Sequence, residues 1–160
     1  QGAAALAIMR KSDIGPFGVV ALILVLGADA AAIAQAPVSG GALVALVGLA
    51  CGAGRAAAVA SAVRGRPTAA GSGFGSLVAG AIPPAAAAAW AIAAIGSGSA
   101  LGAIAGVGPW RWAAAQAAGI AIGWGVGLIA SRRIGGMSGD VFGAVIEIGA
   151  AVALATAVMV

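Results

Sequence analysis

Long apolar runs, each broken from the next by a short stretch containing glycine, proline or charge, set the pattern of this chain. Residues 17–36, 42–63, 77–95, 112–130 and 141–160 are apolar almost throughout. At ~1.5 Å of rise per residue, each is about long enough to cross a hydrocarbon layer ~30 Å thick as a helix. Backbone polar groups in lipid must be satisfied within their own segment, so such runs predict transmembrane helices. The expected fold is all-α, a polytopic transmembrane helical bundle of about five spans, forming a single domain over 1–160 with no internal repeat. The third run should bend or begin at Pro83-Pro84, because proline removes a helical hydrogen bond. Gly96-Ser97-Gly98-Ser99 should end it, leaving 101–107 as a segment too short to span and therefore interfacial.

The breaks are as informative as the runs. Residues 1–15 suggest a short helix ending near Ser12, and Pro37-Val38-Ser39-Gly40-Gly41 reads as a tight turn. Residues 64–75 form a polar, glycine-rich loop. Trp110-Arg111-Trp112 reads as an interfacial belt. Frequent glycine and alanine within the spans favour close helix packing through small residues.

Composition fixes the class. With 62% hydrophobic residues, 8% charged and a mean hydropathy of +1.14, the chain is no water-soluble domain; the lipid bilayer is its first partner. It has no histidine and one cysteine, which disfavours zinc or transition-metal sites and leaves an oxygen-ligand magnesium site open. Cys51, in an apolar run, reads as a small buried hydrophobe. Aromatic and basic residues do not interleave, so no nucleic acid partner is expected. The chain opens on Gln1 with neither a methionine nor a signal sequence, which suggests a processed chain or a fragment.

Charge then orients the bundle. With five crossings, Arg10, Lys11, Arg64, Arg66, Arg132 and Arg133 fall on one side and Arg111 on the other. Short loops rich in Lys and Arg remain cytoplasmic, so the crowded side is the inner one. Making 101–107 a sixth span would set Arg132 and Arg133 against the rest, which argues against it. Three charges, Asp29, Arg55 and Glu147, lie inside spans. Asp29 reads first as a side chain reaching the far interface. Arg55 has two readings, an inward-facing ligand for an anion or a side chain snorkelling toward Arg64.

One stretch concentrates the chemistry: Arg132-Arg133-Ile134-Gly135-Gly136-Met137-Ser138-Gly139-Asp140, running on to Glu147. Two arginines close one span, a glycine turn follows, and Ser138 opens the next. Unpaired N–H groups at a helix start attract an anion, and adjacent guanidinium groups reinforce this. Equally, Arg132 and Arg133 read as anchors of a helix end, Ser138 as a helix cap and Asp140 as a complement to the helix dipole. Asp140, Gly143, Ala144 and Glu147 share one helical face. Glu147 is then a partly buried acid, paired with Arg55 or a first-span group, or open to a cation.

These residues resemble the cobalamin synthase family, adenosylcobinamide-GDP ribazoletransferase. The stretch from Arg132 to Glu147 is similar to that family's closing Gly-Gly-x-Thr-Gly-Asp-x-x-Gly-x-x-x-Glu signature. Arg10, Ser12, Gly15 and Phe17-Gly18 resemble its segment after an aspartate-rich loop. Gly54-Arg55 and 64–75 follow in the right order. The resemblance implies a multi-pass enzyme of the inner membrane, its functional loops cytoplasmic, joining adenosylcobinamide-GDP to alpha-ribazole or its 5'-phosphate with release of GMP and use of Mg2+. It implies Asp140 and Glu147 as catalytic, Asp140 also as a metal ligand, and Arg10, Ser12, Arg55, Arg66, Arg132, Arg133, Ser138 and Gly139 as substrate or phosphate contacts.

The departures bear on these roles. Ser138 replaces the usual threonine, and Lys11 stands where an acid is common. The family's Asp-Gly-x-Ala-Asp-x-x-Asp-Gly motif, with its main magnesium ligands, is expected upstream of Gln1. The chain then reads as the C-terminal part of a longer protein whose N-terminal portion is a partner in the site, inactive alone. The contrasting readings are a small transporter or channel subunit, with Arg55, Asp29 and Glu147 along a path, and a membrane scaffold without chemistry. Charge gathered on one side favours the transferase.

Overall fold

The computed structural model describes residues 2–9 and 15–160. Among these described residues seven helices follow one another: α1 Gly2–Met9, α2 Pro16–Ala34, α3 Gly40–Ser61, α4 Gly73–Val78, α5 Pro84–Ile104, α6 Pro109–Ile134 and α7 Gly139–Met159. Of these, α2, α3, α5, α6 and α7 are long and apolar enough to cross a membrane, so the all-α, five-span expectation holds. Proline opens α2, α5 and α6, where a fixed φ favours the first turn and the missing N–H costs nothing.

The centre of the bundle is α3, α6 and α7, with α5 laid on α3 and α6, and α2 on α7. Small residues permit this. A Cβ on Gly149 would lie 3.0 Å from the Gly54 Cα and 3.1 Å from the Gly119 carbonyl, and one on Gly119 would lie 2.8 Å from the Ala153 Cβ. Three helix backbones therefore meet almost without side chains between them, the contact that drives helix association where lipid removes the hydrophobic effect. In contrast α2 buries only Ala32. Its Phe17, Leu22, Ile23, Leu24 and Leu26 face outward, as lipid-contacting side chains would.

Several local expectations are corrected. The third span begins at Pro84, the start that the proline pair predicted, but it passes straight through Gly96-Ser97-Gly98-Ser99 to Ile104. Two contacts explain why the Gly-Ser run stays helical. Ser97 Oγ donates to the Ala94 carbonyl at 2.8 Å, and Gly98 lies where a Cβ would be 2.7 Å from the Trp112 carbonyl. Residues 101–104 thus complete α5, leaving only a turn before α6. Trp110 is exposed beside Arg111, 5.7 Å from ring centre to guanidinium, as an interfacial belt requires. Trp112 is not part of that belt: it is 1% exposed and packs in the core. Cys51 is exposed rather than buried, because α3 turns it away from α6 and α7.

Candidate functional site: a glycine-clasped cap on one end of the bundle

The α3–α5 connection does not hang free. It is laced to the α6–α7 turn by backbone pairing: Ala69 N–H donates to the Met137 carbonyl at 2.9 Å, and Met137 N–H to the Pro67 carbonyl at 2.8 Å. A second tie joins its two ends, Arg64 N–H to Ile82 at 2.9 Å and Ile82 N–H to Ala62 at 3.2 Å. Met137, 1% exposed, plugs the apolar cluster of Ala57, Ala62, Ala69, Ile134, Val141, Phe142 and Val145 beneath the lacing. Phe74 of α4 meets Phe142 of α7 edge to face, centroids 6.4 Å apart, a favoured aromatic geometry.

Glycine makes the approach possible. A Cβ on Gly75 would lie 2.7 Å from the Met137 carbonyl and 3.0 Å from the Ser138 Cα. Gly136 meets the Thr68 carbonyl in the same way from the other side. The turn itself follows from the sequence Gly135-Gly136. Gly135 closes α6 in the left-handed region at φ 85°, and Gly136 N–H returns to the Ser131 carbonyl at 2.8 Å, the bond of a Schellman cap.

The cap carries most of the residues singled out by sequence. Arg132 and Arg133 are exposed in the last turn of α6, where cations also suit the helix dipole. Arg66 is half-buried, its guanidinium 6.0 Å from the Trp124 ring. Ser138 is buried and caps α7, its Oγ accepting from Val141 N–H at 3.3 Å; Ser72 caps α4 by accepting from Gly75 N–H at 3.0 Å. Asp140 is exposed on the first turn of α7. Among the described residues no salt bridge neutralises the arginines. The resulting surface is cationic, has free N–H groups at a helix start, and holds one carboxylate among the described residues, Asp140.

Two expected members, Glu147 and Arg55, fall elsewhere. Arg10 and Ser12, with Lys11 and Asp13, lie outside the described residues. Glu147 is exposed and shares a face with Asp140 and Gly143, as the spacing required. It is not partly buried and pairs with no arginine among the described residues. Asp29 of α2, the helix packed on α7, keeps its Oδ1 buried without a hydrogen-bond partner. Asp29 therefore faces α7 instead of reaching for the interface. Arg55 lies on α3 away from the cap, and Nη1 donates to its own helix at the Cys51 carbonyl, 3.1 Å away.

The donor set was compared with a divalent cation. No group of three His, Cys, Asp or Glu able to hold a metal occurs among the described residues. Asp140 and Glu147 are about 10 Å apart along the helix axis at ~1.5 Å per residue, too far to share an ion whose oxygen ligands lie ~2.1 Å away. These residues supply a single candidate ligand, Asp140, and do not by themselves fit a magnesium ion.

Sequence reasoning had missed the partners of the closing motif, namely Thr68, Ala69, Ser72, Phe74 and Gly75. The available signal was a glycine-rich loop with Ser72 three residues before Gly75, a helix-cap spacing. The second missed partner, Trp124 beneath Arg66, carried no signal, since the pair joins a loop to a helix far along the chain.

Five helices long and apolar enough to cross a membrane, closed at one end by a cationic, glycine-clasped cap, define a polytopic membrane protein. The sequence profile of the cobalamin-5-phosphate synthase family matches residues 1–158, and the chain belongs to that family. Its members are synthases of cobalamin biosynthesis. No curated protein and no solved structure matched the chain.

Proposed function

We propose that the cap is part of the site of an adenosylcobinamide-GDP ribazoletransferase of the inner membrane, facing the cytoplasm. Arg66, Arg132 and Arg133 hold the diphosphate of adenosylcobinamide-GDP, with the first N–H groups of α7 around Gly139 beside them. A hydroxyl of alpha-ribazole, or of its 5'-phosphate, attacks the phosphorus nearer the cobinamide. The new P–O bond forms as the bond to GMP breaks, and GMP leaves with the electron pair. Asp140 orients the attacking hydroxyl and receives its proton. Positioning and charge neutralisation are the catalytic contributions of this chain. Ser138 acts by fixing the start of α7, the role its cap bond already gives it. Mg2+ is part of the proposal; of the described residues only Asp140 suits it as a ligand.

The observation that supports this reading best is the clasp, which brings the arginine-bearing loop and the Ser138–Asp140 helix start to the same end of the bundle. The test is formation of the cobalamin product and GMP, in membranes containing the full product of the gene, from adenosylcobinamide-GDP and ribazole 5'-phosphate. Turnover that falls at least a hundredfold in Asp140→Asn, with the protein still folded, is the expected result; general acid–base groups contribute ~10²–10⁴-fold. Wild-type turnover in Asp140→Asn, or none in the unaltered protein, overturns it.

A further inference from the structure

Arg55 is one of the charged side chains that the proposed reaction leaves unused, and its setting within a span is unlike that of the other arginines. It precedes the end of α3 by six residues, about 9 Å inside the span at ~1.5 Å per residue. A snorkelling side chain would run toward Arg64. This one bonds to Cys51, four residues back toward the middle of the bilayer. No carboxylate pairs with it among the described residues. A guanidinium at this depth without a counter-charge is costly, so an anion beside it would be strongly favoured.

Arg55 lines a cleft of about 720 Å³ between α3 and α5, with Gln116 of α6 at its floor. The volume is that of a small-molecule site. Apart from Arg55, Trp90, Ser97 and Gln116, the lining is alanine, glycine, valine and leucine. Gly48 and Gly52 present bare backbone to it, and a Cβ on either would meet nothing within 4 Å. They form an open apolar track leading inward from Arg55. Trp90, 62% exposed, follows the start of α5 by six residues and so stands at the same depth as Arg55 on the opposite wall.

We propose that this cleft binds one anionic glycerophospholipid of the surrounding bilayer, its phosphate on the Arg55 guanidinium and one acyl chain laid along Gly48 and Gly52. Charge complementarity selects this occupant. The cleft has one cation and no acid, and it opens to lipid. A second copy docked through this same face would bring no counter-charge from the described residues, because Asp29, Asp140 and Glu147 lie on α2 and α7, away from it. The depth of Arg55 is reached by local thinning of the bilayer, the usual accommodation of an intramembrane arginine.

The experiment places the chain in nanodiscs of equimolar phosphatidylglycerol and phosphatidylcholine and reads retained lipid and oligomeric state by native mass spectrometry. One lipid retained per chain, enriched in phosphatidylglycerol, is expected. Arg55→Gln should lower the glycerol-to-choline ratio about fivefold, the equivalent of one basic side chain near anionic lipid. Gly52→Leu should fill the track and lose lipid of both classes, with helix content by circular dichroism as the folding control; Gly48→Leu, one turn deeper, is the independent second block. Equal retention of the two lipids by the unaltered chain, a ratio unmoved by Arg55→Gln, or a lipid-free dimer would each overturn the proposal.

Discussion

Two glycines near the cap should respond to the same substitution with opposite signs. Gly75 is buried, and an alanine Cβ there would approach the Met137 carbonyl to 2.7 Å while pressing on Ser72 Oγ. One neighbour is backbone held by the lacing to Ala69; the other is the hydroxyl that caps α4. Overpacking of this kind costs about 1–3 kcal/mol, and loss of the cap adds about 1 kcal/mol. The strain falls on the clasp, so we expect it to open locally while the five spans stay packed. Gly143, one turn into α7 on the Asp140 face, has nothing within 4 Å of its Cβ position. Alanine there should stabilise the helix by about 0.5–1 kcal/mol. The assay pairs amide hydrogen exchange over 64–82 and 135–142 with thermal unfolding in detergent. Gly75→Ala should raise exchange in both segments at once and reduce transferase activity, whereas Gly143→Ala should leave exchange unchanged and raise the unfolding temperature. If Gly75→Ala protects both segments as well as the parent chain does, the argument that glycine permits the clasp is wrong.

Two further outcomes follow from the cap. Ser138→Ala should cost about 1 kcal/mol through the lost helix cap, and Ser138→Thr should restore it; equal unfolding temperatures for the parent and Ser138→Ala would remove the capping role. Arg66→Ala should lose about 0.5–1 kcal/mol of cation–π contact with Trp124 and raise KM for the diphosphate substrate, while Trp124→Phe should weaken the contact but leave the charge; a KM unmoved by Arg66→Ala would take that arginine out of the site.

How far the chain could be read in advance depended on the range of the forces involved. The spans were legible because hydrocarbon thickness imposes a length and a polarity on every crossing, a constraint written within each segment. The run Gly96-Ser97-Gly98-Ser99 misled for a related reason. In water its glycines would break a helix, but here Gly98 is needed for contact with Trp112, and that partner is invisible locally. Trp112 was misplaced because a tryptophan beside an arginine looks alike at an interface and at the edge of a core. At the cap, the serine cap of α7 and the shared face of Asp140 and Glu147 were legible from helical spacing. The clasp was not, since it joins backbone groups some seventy residues apart through glycines that carry no side-chain signature. The pairing of Glu147 with Arg55 failed because α3 presents Gly54, not Arg55, to α7.

Helix α6 is 26 residues long and α7 is 21. At ~1.5 Å per residue the first measures about 39 Å and the second about 32 Å, while the hydrocarbon layer is ~30 Å deep. With its neighbour nearly matched to the layer, α6 has little freedom to tilt its excess away. Roughly two turns of it must stand clear of the acyl chains, in the zone of headgroups and water. Because residues 135–138 hold the end of α6 level with the start of α7, the excess emerges at the opposite end, where exposed Trp110 stands beside Arg111: the helix is a pile driven through the oil, its foot planting an indole and a guanidinium among the far headgroups and so fixing the height at which the arginine-bearing end stands.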